Sequence, residues 1–250
     1  MKKILFVNPS IKSTVFGKMR QLALPPMGLG LLASRTPPDR YEVEIVDEAV
    51  ETIDFTAEAD LVAVTATTVQ APRAYEILRR FRRRGIPTIL GGIHGSVMTE
   101  EASRFADCVV VGEADDLWRG ILDDFDRGEL QPLYRMREFP RMEGQPRIDR
   151  RVFGGKYFIP SVQTSRGCPC NCSFCSVTRF NGRRYRFRTV RDVIEELEQG
   201  QRWIYEATST MGKSFTRGLK TLVNTRSMEN AFTNFFWNYL NYRAINATTI

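Results

Sequence analysis

Short, wholly apolar runs alternate with amphipathic stretches through the first half of the chain. "KILFV" (residues 3–7) reads as a strand buried on both faces, and "YEVEIV" alternates strictly, with Tyr41, Val43 and Ile45 on one face. "DLVAVT" (60–65), "IPTIL" (86–90) and "CVVVG" (108–112) predict three more strands. Between the third and fourth, Ala74, Ile77, Leu78 and Phe81 fall at i, i+3, i+4 and i+7, with Pro72 near the start. That spacing predicts a helix with one apolar stripe. Arg79, Arg80, Arg82, Arg83 and Arg84 fall mostly off the stripe and read as its wetted face.

Strands alternating with helices imply right-handed crossovers and an α/β fold, a doubly wound parallel sheet in flavodoxin-like order. Such sheets bind ligands at the carboxyl ends of their strands, here residues 8–10, 65–68, 91–95 and 112–115. Gly91 and Gly92 directly after a strand read as a tight strand-to-helix turn, or as a place where backbone comes close to a ligand. No G-x-G-x-x-G follows the first strand, so a dinucleotide is not indicated.

The pattern changes beyond residue 128. Residues 129–158 are rich in Pro, Arg and Gly and read as a linker between a domain at 1–128 and a second at 159–250. "IPSVQTS" (159–165) reads as a strand entering a cysteine-rich loop. Val190, Val193, Ile194 and Leu197 then make a helix stripe, capped by Thr189 with Asp192 and stopped by Gly200, before a strand at 202–206. From about Ser227, Met228, Ala231, Phe232, Phe235, Phe236, Tyr239 and Leu240 line one side of a further amphipathic helix, opposite Asn230, Asn234, Asn238 and Asn241.

Charge is unevenly spread. Residues 1–150 carry 21 Lys/Arg against 23 Asp/Glu, whereas residues 151–250 carry 15 against 6. The second part therefore holds the whole basic excess, on a solvated surface or around an anionic ligand or nucleic acid. Four of the five cysteines lie between 168 and 175, too close for a disulfide framework, and no secretory signal precedes them. No stretch approaches the roughly 20 apolar residues of a membrane span. A reducing, cytoplasmic setting is expected. His94 is the only histidine, which excludes a multi-histidine metal site and reads as a surface or hydrogen-bonding residue.

Cys168, Cys172 and Cys175, in "TSRGCPCNCSFCSV", stand at C-x3-C-x2-C. Three thiolates at that spacing can hold three corners of an iron–sulfur cube and leave one iron open. The segment resembles the radical S-adenosylmethionine superfamily, through "QTSRGCPCNCSFCSVTRFNGRRYRFRTVRDVIEEL". Residues 1–130, with "PPMGLGLLAS", "GGIHGSVMTEEA" and "VVVGEADDLW", resemble the cobalamin-binding domain that precedes the barrel in one branch. The resemblance implies a 4Fe–4S cluster on the three cysteines, S-adenosylmethionine on the open iron with Phe174 against its adenine, and Glu206 near its amine. It also implies cobalamin near Thr65, Gly91, Gly92 and Gly112, and an electron donor such as flavodoxin or ferredoxin. The reaction implied is methyl or alkyl transfer to the unactivated carbon of a small-molecule substrate, initiated by a deoxyadenosyl radical; no side chain is assigned as catalytic. A D-x-H-x-x-G loop, which supplies a cobalt-ligating histidine in some cobalamin domains, is absent.

The likeness weakens after Gly200. A barrel unit takes about 30 residues, so residues 159–250 supply about three units, against about six in the family's barrel. The expectation is therefore a partial β/α barrel. Two further features complicate the segment. Cys170 lies between the ligand positions and reads as a spectator thiol, with a closed zinc or cluster site as the alternative. "ATSTMGKS" (207–214) matches a phosphate loop only loosely, because it lacks the glycines that let successive N–H groups wrap a phosphate. Rival functions are an RNA-modifying radical enzyme without cobalamin, suggested by Arg183, Arg184, Arg186 and Arg188 between Tyr185 and Phe187, and a non-catalytic remnant.

Overall fold

A computed structural model of the chain describes residues 1–10, 23–154, 157 and 161–208 (202–208 as backbone), with Thr216, Leu219, Val223, Met228, Glu229, Phe232, Thr233 and Phe236 beyond them. It divides into two compact units, Met1–Ile194 and Glu195–Ile250.

The first unit is built on a six-stranded parallel sheet in the order β2-β1-β3-β4-β5-β6. Its strands are β1 (Lys2–Asn8), β2 (Tyr41–Asp47), β3 (Leu61–Thr65), β4 (Thr88–Gly91), β5 (Cys108–Val111) and β6 (Leu133–Arg135). The first five are those expected from the apolar runs, in the flavodoxin-like order. Side chains alternate between two cores. Ile4, Phe6, Leu61, Ala63, Cys108 and Val110 face one, covered by α1 (Met27–Arg35) and α5 (Trp118–Arg127). Leu5, Val7, Val62, Val64, Val109 and Val111 face the other. There Ala74, Ile77, Leu78 and Phe81 of α2 (Ala71–Arg82) bury the predicted stripe, while Arg79, Arg80, Arg82, Arg83 and Arg84 stay exposed. Two short helices, α3 (Gly92–Val97) and α4 (Thr99–Ala102), complete that layer. Trp118 anchors α5 to α1: its ring lies 5.4 Å from Phe6 and its Nε1 donates to Thr36 Oγ1 at 2.9 Å.

Residues 129–158, expected as a linker, contribute the edge strand β6. Ile148, Phe153 and Tyr157 of the same stretch pack into the α1-side core. The Tyr157 hydroxyl donates to Asp47 at 2.7 Å, tying this returning chain to β2.

Of the expected strand at 159–165, residues 159 and 160 lie outside the described residues, 161–164 are irregular, and among the described residues only β7 (Ser165–Arg166) pairs, antiparallel to β8 (Arg186–Phe187). Between them lie the cysteines and α6 (Val177–Asn181). Thr189 Oγ1 accepts from Asp192 N at 3.1 Å, as the cap predicts. The helix it starts, α7 (Val190–Thr208), runs through Gly200 and replaces the expected strand at 202–206. A glycine cap ends a helix by turning the backbone left-handed, and Gly200 is not among the glycines with positive φ, so the helix continues through it. Residues 209–214 of the loose phosphate-loop match lie outside the described residues. So do Ala231, Phe235, Tyr239, Leu240 and the asparagines of the last expected helix. Met228, Phe232 and Phe236 are helical, and the two phenylalanine rings stack at 5.9 Å.

Candidate functional site

In a doubly wound sheet the connections leave on opposite faces either side of one strand pair, and a crevice opens there at the carboxyl edge. Here α1 and α2 leave on opposite faces, and a cavity of about 400 Å³ lies at that edge. Its interior is apolar, with Phe6, Ala63, Ile89, Val110 and Trp118, and its rim is polar, with Asn8, Thr67 and Gln70. Gln70 holds the rim closed by donating to Asn8 Oδ1 at 3.3 Å and to the Pro9 carbonyl at 2.5 Å. Pro26, Met27 and Gly28, from "PPMGLG", form the mouth at the start of α1.

Thr65, Gly91, Gly92 and Gly112, singled out far apart in sequence, all line this one cavity. The parallel sheet brings them together because every strand ends on the same edge. The two adjacent glycines differ in reason. A Cβ on Gly91 meets nothing within 4 Å, so this is open wall that a ligand can approach. Gly92 has φ +88°, and a Cβ there falls 2.7 Å from Thr65 Oγ1 and 3.0 Å from the Ala66 backbone. Its bareness serves close packing of α3 on β3, a tight strand-to-helix turn beside the cavity that it lines.

His94 is buried in α3, not at the surface. Its Nε2 lies 2.6 Å from the Tyr75 hydroxyl, and Tyr75 stacks on Phe105 on the α2 side.

The cavity's far wall comes from the cysteine segment: Gln163, Arg166, Phe180 and Asn181. The loop leaves and returns through the β7–β8 pair, and Cys168 N donates to the Gly182 carbonyl at 3.1 Å, closing a neck. Gly167 in this neck has φ +88°, and a Cβ there would lie 2.1 Å from the Arg184 carbonyl oxygen. Only glycine permits the turn that presents Cys168. Cys168 and Cys175 are half-buried, Cys170 and Cys172 exposed, and all are unbridged. The neighbouring thiols, Cys168 first, push the Cys170 pKa up. Phe174 is 91% exposed beside them. Glu206 is helical, and its side chain lies outside the described residues. Among the described residues no three His, Cys, Asp or Glu side chains converge on a point that would hold one metal ion. The donor set, three soft thiols on a short open loop, fits an iron–sulfur centre.

A buried ion cluster, unmarked in the sequence, fastens this neck to the sheet. Glu113, directly after Gly112, accepts from Arg166 Nη1 at 2.6 Å, Asn181 Nδ2 at 2.9 Å and Arg186 Nη1 at 3.0 Å, and also pairs with Arg186 Nη2. Asp115 accepts from the same Arg166 Nη1 at 3.0 and 2.9 Å, and from Gln145 at 3.1 Å. Two arginines meet two carboxylates, so the buried charge balances, as it must away from water. Burial pushes the Glu113 pKa up, but hydrogen bonds from Arg186 and Asn181 and the charge of Arg166 outweigh it and hold the carboxyl below its usual range. Arg186 is thus engaged inside the protein, and Arg188 donates to the Gln163 and Asp192 carbonyls, each at 3.3 Å. That leaves Arg183 and Arg184 as the exposed pair of the arginine–aromatic run.

Residues 14–122 match the B12 binding domain family. The chain is 38% identical over 197 residues to bacteriochlorophyllide d C-8(2)-methyltransferase of Chlorobaculum tepidum, covering 75% of this chain and 43% of that protein. Its fold matches that of the radical S-adenosylmethionine methyltransferase TsrM from Kitasatospora setae, solved with cobalamin and a [4Fe-4S] cluster, at a TM-score of 0.58 and 20% identity over 93% of this chain and 55% of that one. Over its first part the chain thus matches B12-binding-domain proteins, and over most of its length it is similar to methyltransferases. It also resembles the hopanoid C-2 methylase of Rhodopseudomonas palustris, at 30% identity over 70% of this chain and 34% of that protein. The chain spans less than half the length of these two relatives. Among the described residues, no helix is long and apolar enough to cross a membrane.

Proposed function

We propose that the chain is the cofactor-bearing part of a cobalamin-dependent radical S-adenosylmethionine methyltransferase acting on a carbon centre of a small organic molecule. Cys168, Cys172 and Cys175 hold a 4Fe–4S cluster, Phe174 and Glu206 flank S-adenosylmethionine, and Thr65, Gly91, Gly92 and Gly112 border cobalamin. When bound, these groups supply the electron, the deoxyadenosyl radical and the methyl carrier. The chain's own residues do the rest. The thiols bind, the strand-end loops orient, and the apolar cavity interior with Phe180 excludes water. A flavodoxin or ferredoxin in a reducing, cytoplasmic setting provides the electrons, consistent with the unbridged cysteines.

One observation carries this reading: a single cavity is walled on one side by the sheet's strand ends and on the other by the neck of the cysteine loop. A methyl carrier and a radical source must act on one substrate, and this cavity runs from the strand ends to Arg166, two residues before Cys168, which supports that reading.

Anaerobic reconstitution tests it. The chain is expected to take up iron and sulfide as one 4Fe–4S cluster, to bind hydroxocobalamin, and to release 5′-deoxyadenosine from S-adenosylmethionine under reduction. Alanine at Cys168, Cys172 or Cys175 abolishes the cluster, and Cys170→Ala retains it. Zinc in place of iron, or a cluster lost with Cys170, refutes the reading. A cluster without 5′-deoxyadenosine restricts the chain to holding cofactors.

A further inference from the structure

We infer that Glu113 and Arg186 form a latch that couples the cysteine loop mechanically to the cavity at the strand ends, acting as positioning residues for whatever the two sites hold. The latch itself is independent of the function proposed above; its value to the reaction rests on that reading.

The geometry is particular. Arg166 lies at the entry of the neck, and Asn181 and Arg186 at its exit, yet all three donate to the one carboxylate of Glu113. Glu113 therefore gathers both strands of the neck at a single point. That point follows the carboxyl end of β5 and adjoins Gly112, whose backbone lines the cavity. Glu113 is 2% and Arg166 6% exposed at the side chain, so water neither screens nor replaces these bonds. Arg186 makes the exit strand doubly fast by donating also to the Pro140 carbonyl at 2.7 Å and the Asn181 carbonyl at 3.0 Å. A shift of the Gly112–Glu113 backbone, such as a ligand in the cavity imposes, is transmitted to Cys168 through Arg166 and Gly167 without a flexible link.

A structural ion cluster needs no such arrangement. Two separate pairs would bury the same charge. Convergence of both neck strands on one acceptor adds a constraint on orientation, and orientation is what two reaction centres sharing a substrate require.

The test uses the full 250-residue chain, with and without reconstituted cluster, and reads backbone hydrogen exchange of the neck against that of β1 and β3. Arg186→Met is the main variant, because Arg186 does not itself line the cavity and its loss removes no cavity-lining side chain. Expected in the variant is at least tenfold faster exchange at the Cys168 amide, with β1 and β3 unchanged. In the parent chain, hydroxocobalamin slows neck exchange beyond the segments it covers. In Arg186→Met it binds within about threefold of the parent affinity yet no longer slows the neck (tenfold corresponds to about 1.4 kcal/mol). Glu113→Gln reproduces the faster exchange, and the double variant is no worse than the single ones, since both break one device.

Neck exchange unchanged in both single variants overturns the inference. So does equal acceleration throughout β1 and β3, which would make the cluster a prop of the whole fold. Slowing by hydroxocobalamin that persists in Arg186→Met also overturns it. Should the parent chain bind no hydroxocobalamin, the function proposed above fails, while the ligand-free comparison still decides the latch.

Discussion

Replacing Gly167 by alanine probes the turn that presents the first cysteine. At φ +88° a side-chain-bearing residue is in a sparsely populated region, which costs about 1–3 kcal/mol. The added Cβ also lies 2.1 Å from the Arg184 carbonyl oxygen, a distance no packing tolerates, so the neck must open. Opening forfeits the Cys168–Gly182 bond and loosens the β7–β8 pair, at about 1 kcal/mol per hydrogen bond. The neck is thereby destabilised by about 3–5 kcal/mol, comparable to the stability of a local element. The sheet's two cores do not involve Gly167, so the urea midpoint followed by far-ultraviolet circular dichroism is expected to move little. Iron retained after anaerobic reconstitution and desalting is expected to fall at least tenfold. An alanine variant that keeps the parental iron content would refute the reasoning, because it would show that the turn is neither strained nor needed.

Three further expectations follow from the sheet domain. Gly120→Ala in α5, where a Cβ meets nothing within 4 Å, should raise stability by about 0.5–1 kcal/mol in urea titration. Trp118→Phe removes the buried bond to Thr36 and should cost about 1–3 kcal/mol, with an unchanged or raised midpoint counting against it. Burial, with a smaller push from Asp107, raises the Cys108 thiol from 9.0 to about 12. Its contribution to stability is therefore complete below pH 9 and disappears as pH rises through about 12. In the cluster-free protein at pH 8, a thiol reagent should label the cysteine-loop thiols and reach Cys108 only after denaturation. Rapid labelling of Cys108 in the native protein would contradict its burial.

What the sequence revealed, and what it hid, follows from the range of the forces involved. β1 and β3 are legible because strands buried on both faces must be apolar throughout, and α2 because one stripe must be. The meeting of Thr65, Gly91, Gly92 and Gly112 follows from a topological rule and needs no pairwise knowledge. β6 was hidden because "LYR" is three residues long and mostly exposed; it forms because β5 offers unpaired backbone groups, not because of its own pattern. Gly91 and Gly92 could not be told apart locally, since one residue separates open wall from a tight helix–strand contact. The Glu113 cluster was invisible for a different reason. Its arginines lie 53 and 73 residues away, and each charge by itself reads as a surface residue. The arginine–aromatic run held a signal, for an alternating pattern puts Arg184, Arg186 and Arg188 on one side, but nothing local says which of them turns inward.

The two margins of the sheet have a consequence for the chain before its cofactors arrive. One margin is β2, where Glu42 and Glu44 stand exposed, and the other is β6, over after three residues. An unpaired margin is a template on which another polypeptide can add itself. Here an added strand meets exposed acidic side chains on one flank and a stub of three residues on the other, and both features disfavour edge-to-edge addition.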